Sequence, residues 1–353
     1  MSYCGLFRHF RQTLAAAFVL LCCLSVTAQE TDDEVLRVDA NLIRLNVGVA
    51  DPTGRAITDL SRADFDVYED GVKQSILSFE PTQTPFSVVL LLDMSGSTLG
   101  FRQQLTQAAV RFLDALAPAD RVALVTFSAQ RKIERGQVRS VDQIETLVNF
   151  TPDRQQLAFA ILNNAKGRGN TNLYKALNYS LALLAKENSR RKAVVVLTDG
   201  RDTEQENLDR RAAADAATGE EAVATVKPDQ SAPLNAILNA ADRQGVTVYP
   251  MALPSGDPKR IPIPTPQQTA IFVSARTRLQ SLANRTGGRL HAINRLEDMG
   301  RIYAEIAAEV RTLYSIAYQS SNARSPRGAW RAINIEVTRP QLIARARPGY
   351  YAR

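Results

Sequence analysis

Short apolar runs that break abruptly into polar residues set the framework of the chain. Phe86-Ser87-Val88-Val89-Leu90-Leu91-Leu92 gives way to Asp93-Met94-Ser95-Gly96-Ser97, and Arg191-Lys192-Ala193-Val194-Val195-Val196-Leu197 to Thr198-Asp199-Gly200. Arg121 to Phe127 and Val246 to Leu253 read the same way. Runs this short, rich in Val and Leu and without alternation, are central parallel strands covered by helices on both faces; a membrane span needs about twenty apolar residues. Helical spacing falls between them. Leu105, Ala109, Phe112 and Leu116 form one stripe, and Leu173, Leu177, Leu181 and Leu184 another. An alanine-rich charged helix is expected near 207–224 and a further helix near 232–244. The alternation predicts an α/β fold with a doubly wound, mostly parallel sheet and helices on both faces.

The two flanks of this region read differently. Residues 35–82 are turn-rich and strand-like: Leu42, Leu45, Val47 and Val49 alternate approximately, Asp51-Pro52-Thr53-Gly54 marks a turn, and Phe65 to Tyr68 runs into Glu69-Asp70-Gly71. Asp-Gly between strands signals a hairpin, so Asp70 is a turn residue rather than a ligand. Residues 314–353 offer three more strands, at 314–318, 330–337 and 342–347. The flanks are expected to pair with each other into a small β-sandwich, with the α/β domain, 84–313, inserted between them. Pro254 to Gln268 contains five prolines and reads as an extended loop after a strand's carboxyl end. It either borders the binding face or is a solvent-exposed excursion.

The candidate chemistry gathers at the carboxyl ends of the strands, where open α/β sheets place their ligand sites. Asp93, Ser95 and Ser97 supply oxygen, the donor that magnesium, calcium and manganese prefer. Asp199 is a second carboxylate, and Gly200 permits the sharp turn after it. Thr171 follows the glycine-rich Gly167-Arg168-Gly169-Asn170 at the start of a helix, with its hydroxyl expected to be exposed. Any one of these residues alone would be read as a cap or turn residue; the five together favour ligation.

Asp93-x-Ser95-x-Ser97, then Thr171, then Asp199 in Thr-Asp-Gly, resemble the von Willebrand factor type A domain and match all five positions of its metal-ion-dependent adhesion site. The resemblance covers roughly 84–313. It implies a divalent cation, magnesium first and manganese or calcium as alternatives, bound by the serines and the threonine directly or through water. The aspartates often act through water, and an Asp or Glu of a partner protein completes the coordination. Asp64-Phe65-x-Val67-x-Glu69-Asp70-Gly71 and Ala346-Arg347-Pro348-Gly349-Tyr350-Tyr351 further resemble exported type A-related proteins of acidobacteria. The expected function is an exported, metal-dependent protein-binding module and not an enzyme. The alternative is a metal-independent structural or scaffolding component of the cell envelope. A metal-assisted hydrolase ranks third, because no general base, Cys nucleophile or phosphate loop accompanies the ligands; Gly167-x-Gly169 lacks the following Lys-Ser/Thr.

The amino terminus bears on location. Arg8, His9 and Arg11 precede an apolar segment from Leu14 to Leu24 and the small residues Val26-Thr27-Ala28, the pattern of a secretory signal over 1–28. The expected destination is periplasmic or extracellular, with no transmembrane span in the mature chain. A lipoprotein anchor through Cys22 or Cys23 is disfavoured, because Leu21 and Cys22 stand where small residues belong. The three cysteines, Cys4, Cys22 and Cys23, all lie in this leader, so a mature chain has neither disulfides nor thiolate metal sites. His291 is then the one remaining histidine, which leaves no basis for a histidine zinc site. The net charge of +7 loses Arg8 and Arg11 with the leader, leaving 41 basic against 36 acidic residues, or +5. No basic run interleaved with aromatics points to nucleic acid.

Overall fold

The computed structural model describes residues 42–352 apart from 135–136, 188–190, 258, 260–261 and 322–327. The expected leader, 1–28, and residues 35–41 of the amino-terminal flank lie outside the described residues. No helix among the described residues is long and apolar enough to cross a membrane.

The chain enters through β1 (Leu42–Ala50), β2 (Phe65–Glu69), β3 (Val72–Gln74) and β4 (Ile76–Glu80). The α/β part then runs β5 (Phe86–Asp93), α1 (Arg102–Ala115), β6 (Arg121–Glu134), β7 (Gln137–Thr151), α2 (Arg154–Asn164), α3 (Leu173–Ala185), β8 (Arg191–Thr198), α4 (Thr203–Ala212), α5 (Gly219–Thr225), α6 (Ala232–Gln244), β9 (Val246–Ala252), α7 (Pro266–Thr286), β10 (His291–Ala292) and α8 (Met299–Arg311). It leaves through β11 (Leu313–Gln319), β12 (Trp330–Val337), β13 (Ile343–Arg345) and β14 (Gly349–Tyr351).

Six strands form the central sheet in the order β10-β9-β8-β5-β6-β7, all parallel except β7, which is antiparallel to β6. All eight residues of β5 are buried. That burial explains the missing alternation: Val88, Leu90 and Leu92 face one core with Phe112 of α1 and Tyr303 of α8, while Val89 and Leu91 face the other with Leu177 of α3, Ile237 of α6 and Leu279 of α7. After β5 the chain steps to β6 on one side, and after β8 it steps to β9 on the other. The strand order therefore reverses between β5 and β8, and a crevice opens at their carboxyl ends.

The flanks make two four-stranded sheets, β13-β1-β11-β4 and β14-β12-β2-β3. Each combines strands from both ends of the chain: β4 pairs antiparallel with β11, and β2 with β12. Leu45, Val47, Phe65, Val67, Ile316 and Tyr318 share one core. Arg191, fully buried at the start of β8, clasps the points where the α/β part begins and ends. Its guanidinium donates to the carbonyls of Thr82 and Thr84 at 2.6 and 2.5 Å and to that of Val310 in α8 at 2.7 Å, and lies 3.9 Å over the Phe86 ring.

Several expectations are corrected. The strand expected at Arg121–Phe127 continues to Glu134 and turns back as β7, making a hairpin that runs past the level of Asp93, which pairs with Phe127. The sequence lacks an apolar run in that outer part, since antiparallel pairing alone satisfies its backbone. The single helix expected near 207–224 is two, because Thr218 caps a new start, its hydroxyl accepting from Glu221 N at 3.2 Å. The loop expected over 254–268 ends early. Thr265, Pro266 and Gln268 form a capping box that opens α7. The strand-like 289–293 shortens to β10, and His291 is packed and held neutral, its pKa lowered to about 4 by burial and then by Arg289. The carboxyl flank contains a fourth strand, β14. Asp70 occupies the turn between β2 and β3 with φ +50° and accepts from Ala332 N at 2.8 Å.

Candidate functional site

Asp93 is the last residue of β5 and is fully buried. One carboxylate oxygen accepts from Ser95 N at 2.9 Å and the other from the Thr198 hydroxyl at 2.8 Å, so the two adjacent central strands fix its orientation jointly. The Ser95 and Ser97 hydroxyls lie 3.1 Å apart. Thr98, whose hydroxyl is 2.9 Å from the carbonyls of Asp93 and Ser95, holds the turn beneath them.

Asp199 follows β8 directly and is also buried. Gly200 after it has φ +85°, a conformation that favours glycine, and donates its N–H to Thr198 Oγ1 at 3.0 Å. Burial first and the Asp199 carboxylate second push the Asp93 carboxyl up to about 7. Among the described residues, no basic side chain is bonded to Asp93. The outer oxygen of Asp199 accepts from Arg201 Nε at 3.1 Å, and that guanidinium rests 5.1 Å from the Phe272 ring.

The third loop comes from before α3. Gly96 N donates to Gly169 O at 2.9 Å, and Ala129 and Asn170 exchange both backbone bonds at 2.8 and 2.7 Å, anchoring residues 167–170 between the serine turn and β6. Thr171 stands two residues before α3 with 7% of its surface exposed. Its backbone is tied to the start of α4: Thr203 N donates to Thr171 O at 2.9 Å, and Thr171 N to Thr203 Oγ1 at 3.1 Å. Asp93, Ser95, Ser97, Thr171 and Asp199 thus lie on three loops tied together at one end of the sheet. Sequence reasoning did not single out Thr198, Arg201 or Arg102. Thr198 was visible in the Thr-Asp-Gly run. Arg102, which donates to Met94 O at 2.7 Å and Gly167 O at 2.5 Å, carries no signal in its spacing.

Gly169 is the tightest point of this junction. Its φ is +95°, and a Cβ there would sit 2.4 Å from Ala129 O, so an alanine meets both backbone strain and an immovable carbonyl. Gly169→Ala is expected to cost about 1–3 kcal/mol in urea unfolding. A variant as stable as the parent would show that the loop has room to shift.

The residues are compatible with a hard divalent cation. The set is entirely oxygen, two carboxylates and three hydroxyls, and Asp93 is a buried carboxylate that no described basic side chain bonds. Among the described residues, no group of three or more His, Cys, Asp or Glu offers another centre.

A doubly wound sheet thus gathers these carboxylates and hydroxyls at its switch point. The family model of the von Willebrand factor type A domain matches residues 87–285, and the chain belongs to that family. No curated protein matches the chain. Similar solved structures include the conserved hypothetical protein BatB from Bacteroides thetaiotaomicron, at 16% identity and TM-score 0.42 over 64% of this chain and 99% of that one. A von Willebrand factor type A protein from Catenulispora acidiphila is 12% identical with TM-score 0.43, covering 92% of this chain and 65% of that one. The von Willebrand factor domain of a type V pili tip protein from Porphyromonas gingivalis is 13% identical with TM-score 0.43, covering 64% and 95%.

Proposed function

We propose that the chain is an exported protein-binding module in which Asp93, Ser95, Ser97, Thr171 and Asp199 hold a divalent cation, magnesium first, and an Asp or Glu of a partner protein joins the coordination. The observation that carries this reading is the paired burial of Asp93 and Asp199 at the switch point, with the Ser95 and Ser97 hydroxyls converging beside them. Two nearby carboxylates withdrawn from water repel each other, and a cation removes that cost. Bound there, the cation supplies an electrophilic centre that favours an anionic oxygen. Ser95 N and Thr198 orient Asp93, and Arg102 fixes the turn through Met94 O. Export rests on the leader pattern in 1–28, and the acidobacterial affinity on the motifs at 64–71 and 346–351.

A second reading has its own observation. The Arg201 guanidinium already neutralises part of Asp199, which favours a metal-independent scaffold that uses the same face. Thermal unfolding in chelator and then in millimolar magnesium separates the two. A ligand confined to the folded state stabilises it by about 2.7 kcal/mol at a hundredfold excess over its dissociation constant. An upward shift in the parent, absent in Asp93→Ala, is the expected result; equal melting with and without magnesium, manganese or calcium would leave the scaffold reading.

A further inference from the structure

Beside the serine turn runs a groove of about 640 Å³, floored by Phe127 and Ser128 of β6 and closed on one side by residues 166–168. Lys166 and Arg168 are exposed on this side, and neither makes an ion pair with a described residue. Arg102 lies between them and the candidate cation site, close enough to Arg168 for the two like charges to repel. The opposite wall has the other sign. Asp142 there is neutralised by Lys175 at 3.1 Å, and Glu145 is exposed. The basic side is joined rigidly to the candidate site: Arg102 bridges Met94 O and Gly167 O, and a Cβ on Gly167 would stand 2.7 Å from Met94 Cβ.

Lys166 and Arg168 make no ion pair with a described residue, and with Arg102 beside them they lower their energy by receiving anions; the groove leaves room for an extended chain beside them. We propose that Lys166, Arg168 and Arg102 form a basic lip that takes the further carboxylates of an acidic protein segment, whose leading Asp or Glu is the one offered to the cation; this rests on the function proposed above. Glu145 on the far wall repels the same segment and keeps it along the lip. The lip selects a run of acidic residues over a single carboxylate, which coordination by one oxygen cannot do.

The test uses the purified chain and a fluorescein-labelled octaglutamate, followed by anisotropy in magnesium and in chelator. Lys166→Ala with Arg168→Ala is expected to weaken binding roughly three- to tenfold, as two exposed charge contacts allow. The magnesium-dependent thermal shift should remain, since neither side chain is a proposed ligand. Arg243→Ala is the control, an exposed cation at the carboxyl end of α6 and thus at the opposite end of the sheet. Unchanged affinity in the double variant overturns the lip. So does an equal loss in the control, no binding by the parent, or a labelled thymidine octanucleotide that binds equally well and weakens equally. Binding that ignores chelator but still falls in the double variant keeps the lip and removes the cation reading instead.

Discussion

Replacing Asp93 by asparagine is expected to erase the magnesium response and yet raise the stability of the cation-free protein at pH 7.5. In the folded chain the Asp93 carboxyl is pushed from 3.8 to about 7 by burial and by Asp199. A carboxyl whose folded pKa lies above its unfolded one stabilises the fold while protonated. Its contribution is complete below about pH 4 and is lost as the pH rises through about 7, with a total on the order of a few kcal/mol. The cation-free parent should therefore be more stable at pH 5 than at pH 7.5. Asparagine cannot ionise and keeps an acceptor for Ser95 N, so the variant should show little of this dependence. Urea unfolding in chelator at the two pH values is the measurement. A parent equally stable at both would mean that the two carboxylates are already relieved, with Arg201 the obvious agent. In the proposed function magnesium restores the parent at pH 7.5 and leaves the variant unchanged.

Glu69→Ala is expected to be the most destabilising change in the flanking sheets. Glu69 closes β2 and is fully buried. Its carboxylate accepts from Tyr318 Oη at 2.7 Å, Tyr350 Oη at 2.9 Å, Ser320 Oγ at 2.5 Å and Arg331 Nη1 at 3.1 Å. These donors come from β11, β12, β14 and the segment after β11, so one side chain ties both four-stranded sheets together. Burial and the Glu69 charge raise the phenols, Tyr350 to about 12, so both tyrosines are donors throughout the working pH range. Alanine leaves the buried Arg331 guanidinium without this carboxylate, a loss of about 3–5 kcal/mol when one partner of a buried pair is removed. The melting temperature should fall by about 10 °C. Trp330, the one tryptophan of the chain, sits in β12 with its ring 5.1 Å from that of Tyr351, so its fluorescence reports this region directly. An unshifted fluorescence transition in Glu69→Ala would show that the hydrophobic core around Phe65 and Tyr314 carries the sandwich alone.

The α/β character was legible because burial on two faces forces an unmistakable pattern: Val88 to Leu92 and Val194 to Leu197 contain no polar residue. The flanking strands were legible from Asp70-Gly71 and the alternation before it. Long-range bonds were not. Thr171 is tied through its backbone to Thr203, and nothing in the local sequence announces a partner so far along the chain. The outer part of the β6–β7 hairpin escaped for a related reason, since its pairing is satisfied by backbone and needs no apolar face. The two-helix break at Thr218 and the start of α7 at Thr265-Pro266 are written in capping residues that lie inside an alanine-rich and a proline-rich stretch. For the candidate site, residue types marked its carboxylates and hydroxyls, whereas Arg102 and Arg201 act through side-chain reach that spacing does not encode.

The Arg191 clasp lies at the amino-terminal end of β5 and Asp93 at its carboxyl-terminal end. The chain therefore enters and leaves the α/β part at the end remote from the candidate site. A pull between a partner held at Asp93 and the flanking sheets would run along the axis of β5. That strand is paired over seven residues with β6 and over seven with β8, both parallel to it. If the proposed partner is held at Asp93, such a load would run across both ladders, so their bonds would resist together instead of opening one after another.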